Sequence, residues 1–445
     1  MRKYLVYFFQ KIRNGDLIIY ITVILLILFG SIMVGSATIG NSAASTVSGA
    51  SGGAQALLTI IKQVAFVSIG IFAMIICAGG YTHWLFKKGS VCLILYIVMI
   101  GMLLSCLAFG ATNGSYAWWK IPGIGTFQPA EVCKIGMVIL LSYMLVLLPE
   151  KYAPKSNKYY NQNYRHPKEV RKRAKIRYVI MCILLPFLAI ITEFIVVAKI
   201  QNDTGTALIT FLICAACLFM TERKHYKTLH KIIKYVIMIV LVGVVVLGVL
   251  FMVTYFTGFY KYLGELFNID LTSILQGYQA SRFSSWLNPL GDVYNTSAQL
   301  FNALLAITKG GIKGVGLFNS TQKYGYIPEV QTDFITSLIF EELGLIGLAL
   351  IIIPYGIIIF RLLYFGFISE DTRSRIVLVG IASYFFCHLF VNLGGVSGLI
   401  PMTGVPLIFI SQGGSSILTG GMAIGIAQAI ISMDKAKRKK LLENG

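Results

Sequence analysis

Apolar runs of near-membrane length alternate with polar segments along almost the whole chain. Ten stand out: 17–37, 57–79, 90–110, 129–149, 178–199, 205–221, 235–257, 334–362, 376–397 and 408–432. Each approaches the roughly 20 residues that a helix needs to cross a hydrocarbon core. The pattern predicts an all-α integral membrane protein, a polytopic bundle of about ten transmembrane helices forming one domain over 1–445. Between the seventh and eighth runs lies a segment, 258–333, far longer than an ordinary connection. It holds apolar periodic stretches such as Leu300 to Ile307, so short helices lying on the membrane surface are expected there. The uncharged stretch 38–56, rich in Ser, Gly and Ala, reads as a flexible loop.

Composition agrees with that pattern. The chain is 56% hydrophobic and 13% charged, too apolar for an ordinary soluble protein. The net charge of +20 is unevenly placed. With both termini cytoplasmic, most Lys and Arg fall in cytoplasmic segments: 150–177 with Arg171 to Arg173, then Arg223 to Lys234, then Lys435 to Lys440. This is the positive-inside bias, and it fixes an even number of spans. The partner it implies is anionic lipid of the inner leaflet, not nucleic acid. The first run follows a basic start without a small-residue cleavage site, so it reads as a retained span. All eight Cys lie in or beside apolar runs and read as packing residues, Cys214 and Cys217 included. The five His form no metal-ligand cluster, and no cofactor motif is evident.

Several polar residues sit where lipid makes them costly. Asp333 closes the long loop at the start of the eighth run, where a helix dipole favours an anion. A carboxylate there can serve as a general base, and Thr332 or Asp333 can equally cap the helix. Glu341 and Glu342 follow inside the run and suit either a polar brace or an internal ion pair. Gln128-Pro-Ala-Glu131 opens the fourth run, and Lys134 stands three residues on. Glu131 and Lys134 can form a local pair, or Lys134 can meet a phosphate. Asp203, in the turn Gln201 to Thr206, can cap the sixth helix or line an outer cavity; Glu193 is another acid within a run. Arg282, Lys309, Lys313 and Lys323 are basic residues of the long loop and, with Lys120, can gather a diphosphate or remain solvated surface charges. Gly310 to Gly316 is glycine-rich but lacks the ending of a nucleotide-binding loop. Ser411 to Ser416, with Ser415, opens the tenth run with small residues that permit close approach of a helix or lipid chain.

Five blocks, in order, resemble the FtsW/RodA/SpoVE, or SEDS, family of cell-wall polymerases. They are Gly114 to Lys134 with Trp119; Gln201 to Thr206; Tyr278 to Arg282 with Asn288 and Pro289; Thr321 to Phe334 followed by Glu341 to Gly344; and Asn392 through Pro401 to Pro406 and on to Ser416. The resemblance implies a peptidoglycan glycosyltransferase that polymerises lipid II, an undecaprenyl-diphosphate-linked disaccharide-pentapeptide, at the outer face of the bacterial plasma membrane. It implies Asp333 as the catalytic residue, the candidate general base. It makes Trp119, Glu131, Lys134, Asp203, Arg282, Lys313, Glu329 and Ser415 candidates for substrate contact. The implied partner is a class B penicillin-binding protein. The reaction calls for no dedicated cofactor, although a divalent cation beside a diphosphate is chemically compatible. The chain departs from the family at Trp118 (usually Arg), Gln331 (usually His) and Asn202 (usually Pro). The other readings are a flippase for a lipid-linked precursor, which the acids within the runs would suit, and an inactive scaffold for a penicillin-binding protein.

Overall fold

The computed structural model describes residues 2–47, 52–86, 88–112, 114–122, 125–155, 159–160, 163, 166–221, 278–295, 297–328 and 330–443. Helix α1 (Arg2–Arg13) leads into α2 (Leu17–Val47), α3 (Gly52–Gly80) and α4 (Gly89–Ser105). A two-stranded hairpin, β1 (Trp119–Ile121) and β2 (Gly125–Phe127), precedes α5 (Pro129–Tyr152). Helices α6 (Pro167–Val179) and α7 (Leu185–Ile195) join through a π-turn into one span, Lys168–Ile200. Then come α8 (Thr204–Phe219), α9 (Tyr278–Leu287), α10 (Ala298–Gly310), α11 (Ile335–Ile368), α12 (Thr372–Val396) and α13 (Gly414–Glu443). Among the described residues, eight helices are long and apolar enough to cross a membrane, and α8 is a shorter apolar helix. The run 235–257 lies outside the described residues.

Helices α5, α12 and α13 are mostly buried and form the centre of the bundle. α12 packs on α5, α8 and α11, while α13 packs on α3. The outer helices keep large apolar side chains exposed, among them Ile61, Phe72, Leu93, Ile97, Ile353 and Phe360. So much exposed apolar surface is stable only against lipid. All eight Cys are free thiols, seven of them buried, as packing residues should be. Two expectations change. The stretch 38–56 continues both neighbouring helices, as far as Val47 and from Gly52 onward, because its alanines favour helix and no proline stops it. The tenth run does not begin as helix: α13 starts at Gly414, and Leu407 to Ser411 form buried irregular chain. Phe409 there takes a left-handed φ of 68°, Ser411 accepts a bond from the Leu407 amide, and Tyr355 donates to the Ile408 carbonyl. Non-helical chain at this depth is tolerated because protein encloses it and fills its hydrogen bonds.

The long loop is helical in α9 and α10, as its periodicity predicts. Its glycine-rich turn has a structural task. α11 breaks at Gly344 (φ 61°, ψ −146°), which frees backbone groups on both sides. Val315 and Gly316 donate to the carbonyls of Glu341 and Glu342, and Leu345 donates back to Gly311 and Ile312. A Cβ at Gly310, Gly314 or Gly344 would press on this paired backbone. The stretch from Ile335 to Ile339 is fully buried in protein, whereas lipid-exposed side chains begin at Leu345 and Ile346. Leu345 to Ile368 alone is about 36 Å long at 1.5 Å per residue, enough to cross. Glu341 and Glu342 therefore belong to the docked loop and do not stand deep among lipid-facing helices.

Candidate functional site

Asp333 lies in the turn just before α11, half-buried. The cap position of that helix is Phe334, one residue on, and its side chain makes no capping bond. Asp333 lines an open cleft together with Arg282, Gln299, Asn392, Thr403 and Gly404. Arg282 comes from α9, Gln299 from α10, Asn392 from α12, and the rest of that wall from the chain after α12. A Cβ placed on Gly404 would lie 2.9 Å from Arg282 Nη2 and 3.1 Å from Asp333 Oδ2. The guanidinium and the carboxylate thus converge within a few ångströms over a residue that leaves them room. Gly404 also has a φ of 70°, a conformation that costs any side-chain-bearing residue.

Three elements hold this geometry. Arg282 donates to the Met402 carbonyl at 3.3 Å. Asn392 spends both hydrogens of its amide, on the Asp333 carbonyl at 2.9 Å and the Val405 carbonyl at 2.8 Å. Its oxygen accepts from Thr336 at 2.6 Å. One buried side chain therefore ties the start of α11 to the opposite cleft wall. A polar residue inside an apolar run is the sequence signal that could have singled out Asn392. Thr403 and Gly404 lie with Asn392 in the last of the family-like blocks, whereas Gln299 lies in none of them.

The other candidates fall elsewhere. Lys134 and Glu131 are fully buried and pair at 2.7 Å. Of the two uses open to Lys134, the structure shows the internal pair; its ammonium does not reach the cleft lining. Asp203 caps α8 by accepting from the Thr206 amide at 3.0 Å, and also accepts from Gln128 at 2.9 Å. Its turn still backs the cleft, since Gly205 packs on Thr403. Asn202 has a φ of 58°, which proline could not adopt. Trp119 packs against Phe127 in the hairpin, the rings tilted by 34° with centroids 5.6 Å apart, and donates to Ser105 at 2.9 Å. Lys313 is exposed in the turn docked at the α11 break, away from the cleft lining. Lys323, expected as a loop cation, is fully buried and paired with Glu342 at 3.1 Å. Ser415 is buried in the first turn of α13, where neighbouring Gly414 packs on Phe66. Glu329 lies outside the described residues. The structure thus brings together Asp333 and Arg282 from the sequence-derived set, and adds Asn392, Gln299, Thr403 and Gly404.

Known proteins share this architecture. The chain is 33% identical over 357 residues to the probable peptidoglycan glycosyltransferase FtsW of Lactococcus lactis, covering 78% of this chain and 76% of that protein. It is 29% identical over 438 residues to the probable peptidoglycan glycosyltransferase FtsW of Bacillus subtilis, covering 97% and 95%. Stage V sporulation protein E of Bacillus subtilis is 27% identical over 419 residues, covering 94% and 96%. Among solved structures, a chain from work on the structural coordination of polymerization and crosslinking by a peptidoglycan synthase complex matches with TM-score 0.61 and 21% identity, over 94% of this chain and 98% of that one. The rod shape determining protein RodA of Thermus thermophilus matches with TM-score 0.54 and 18% identity, over 94% and 97%. At those identities the structural likeness establishes the fold. With the family model for FtsW/RodA/SpoVE cell cycle proteins matching residues 16–436, the chain belongs to that family.

Proposed function

We propose that this protein is a peptidoglycan glycosyltransferase that polymerises lipid II in the cleft at Asp333 and Arg282. The observation that carries the reading is their convergence over Gly404. Glycosyl transfer from a lipid diphosphate needs two things at one place: a group that takes a proton and positive charge beside the leaving oxygens. Asp333 takes the proton of the acceptor sugar hydroxyl as its oxygen attacks the donor anomeric carbon. The bond from that carbon to the diphosphate oxygen breaks, and the diphosphate leaves with the electron pair. Arg282 meets that developing charge with a forked set of donors. A divalent cation carried on the diphosphate would add to the same effect. Attack opposite the leaving group turns the α-linked donor into a β-1,4 bond. The positive-inside bias supports cytoplasmic termini and an outward-facing cleft. The partner this reading implies is a class B penicillin-binding protein that cross-links the new strand.

The test is glycan synthesis from purified lipid II in detergent. Strands are expected from this protein. A flippase or an inactive scaffold would leave lipid II unpolymerised, and that result would sink the reading. In the same assay Gly404→Ala is expected to lower kcat by about tenfold to a hundredfold, since an ångström of misplacement costs that much. Its Cβ crowds both charged groups. An unchanged kcat would show that the two groups do not act over that residue.

A further inference from the structure

The fourth-run pair and one histidine form a structure that the reaction itself does not use. His388 and Asn392 stand one turn apart on α12, so their side chains share a face. Both reach the chain that walls the cleft. Asn392 donates to the Val405 carbonyl at 2.8 Å, and His388 Nδ1 lies 3.1 Å from the Pro406 carbonyl. On its other side, His388 Nε2 lies 3.2 Å from Lys134 Nζ and 3.5 Å from Glu131 Oε2. Lys134 in turn donates to Glu131 Oε1 at 2.7 Å, and Tyr384 donates to Glu131 Oε2 at 3.3 Å. Glu131, Lys134 and His388 are all within 1% of complete burial, so water cannot replace any member.

The nearest group on each side of the imidazole favours one tautomer. A carbonyl can only accept, so the nitrogen facing Pro406 carries the hydrogen. An ammonium can only donate, so the nitrogen facing Lys134 is bare. Which ring nitrogen of a histidine is protonated follows from the bond its other nitrogen makes. The alternative tautomer would place a bare nitrogen against the Pro406 carbonyl, and its Nε2 hydrogen, although Glu131 Oε2 stands 3.5 Å away, would face the nearer ammonium at 3.2 Å. The ring itself is fully buried, where leaving Nδ1 unbonded against a carbonyl is costly.

We propose that the Glu131–Lys134 pair locks His388 in its Nδ1–H tautomer, making His388 a positioning residue that hangs the Val405–Pro406 wall opposite Asp333. The inference rests on the glycosyltransferase reading for its effect on rate, but not for the tautomer itself. It gives the conspicuous Glu131 and Lys134 a task at a distance from substrate. It also explains why α12 presents two polar side chains to two successive carbonyls: together they fix both the height and the tilt of that wall.

The two amide replacements of His388 separate the roles. Asparagine keeps a donor near the Nδ1 position and loses the acceptor for Lys134. Glutamine keeps an acceptor near the Nε2 position and loses the donor to Pro406. His388→Asn is expected to keep kcat within about threefold of wild type, and His388→Gln to lose about tenfold or more at unchanged KM, the scale of a misplaced wall. Equal losses, or losses that simply follow each variant's melting temperature, would overturn the proposal in favour of a merely structural histidine. A second arm needs no activity. In solid-state NMR of the full-length protein with isotope-labelled histidine, the signal missing from His388→Asn reports on His388. A protonated Nδ1 with a bare Nε2 is expected in the wild type. An Nε2–H tautomer or an imidazolium would overturn the proposal. A wild type that makes no glycan while showing the Nδ1–H signal would count against the glycosyltransferase reading and leave the tautomer lock standing.

Discussion

Asp333→Asn is expected to lower kcat for glycan synthesis by about a hundredfold to ten-thousandfold, the usual contribution of a positioned general base. KM for lipid II should change little, because the amide keeps the shape of the carboxyl and Arg282 remains. The size of the loss separates two explanations. Asp333 also has a structural link, but that link runs through its backbone carbonyl, which accepts from Asn392 at 2.9 Å. The substitution leaves that bond untouched. A neutral hydrogen bond is worth only about 0.5–1.5 kcal/mol in any case, roughly a tenfold effect. A loss well beyond tenfold therefore reports proton transfer and not displacement of the turn. Arg282→Met should behave differently, raising KM as well as lowering kcat, because a diphosphate is present both in the bound substrate and in the leaving group. Asp333→Asn activity within threefold of wild type would move the base to another residue.

Much of the architecture is legible in the sequence because lipid imposes a simple rule. A span must be long and apolar, and nine of the ten apolar runs coincide with described helices. The rule fails where protein replaces lipid as the surroundings. Leu407 to Ser411 is as apolar as a span, yet it is irregular chain wrapped by α2, α11 and α13. Hydropathy measures the medium around a segment and not its backbone conformation. The same ambiguity affects Glu341 and Glu342. They are written into a membrane-length run, but the break at Gly344 sets them apart from its lipid-facing part.

The site was legible in part, for a related reason. Asp333 announces itself, since an acid at the edge of an apolar run is costly. Arg282 was one cation among several, and nothing in its spacing distinguishes it from Lys313 or Lys323. The three part company only in the fold: Arg282 enters the cleft, Lys313 stays exposed, and Lys323 is buried. The spacing of Glu131 and Lys134 leaves a local pair or a phosphate open, and the structure shows the local pair; the further contact of Lys134 with His388 lies far along the chain and forms only when α5 packs on α12. Spacing can pair neighbours such as Glu131 and Lys134, but long-range contacts such as Lys134 with His388 or Lys323 with Glu342 carry no local pattern.

Lys323→Met is expected to destabilise the protein by about 3–5 kcal/mol, the cost of leaving a buried charge without its partner. Lys323 and Glu342 are both fully buried. The ammonium uses its three hydrogens on Glu342 at 3.1 Å, Ser36 at 3.2 Å and the Phe318 carbonyl at 2.6 Å. Ser36 donates to the same Glu342 oxygen at 2.6 Å. The pair therefore clamps three pieces together: α2, the loop around Phe318, and the short stretch of α11 that follows Asp333. Next to it, Glu341 accepts from the Thr321 amide at 3.0 Å, the Thr321 hydroxyl at 2.9 Å and the Gln322 amide at 3.2 Å, and from the Ser320 hydroxyl. Removing the ammonium strands one carboxylate but leaves this second anchor, so the loss should be large without abolishing the fold. Lys323→Met with Glu342→Gln should recover much of it, because a neutral amide can keep the Ser36 bond and no charge remains uncompensated. Thermal unfolding in detergent, with the buried cysteines read by a thiol-reactive dye, checks both variants. A single variant as stable as the double would show that Glu342 is not held as a charge, and that backbone pairing at Gly344 alone secures the loop that carries Asp333.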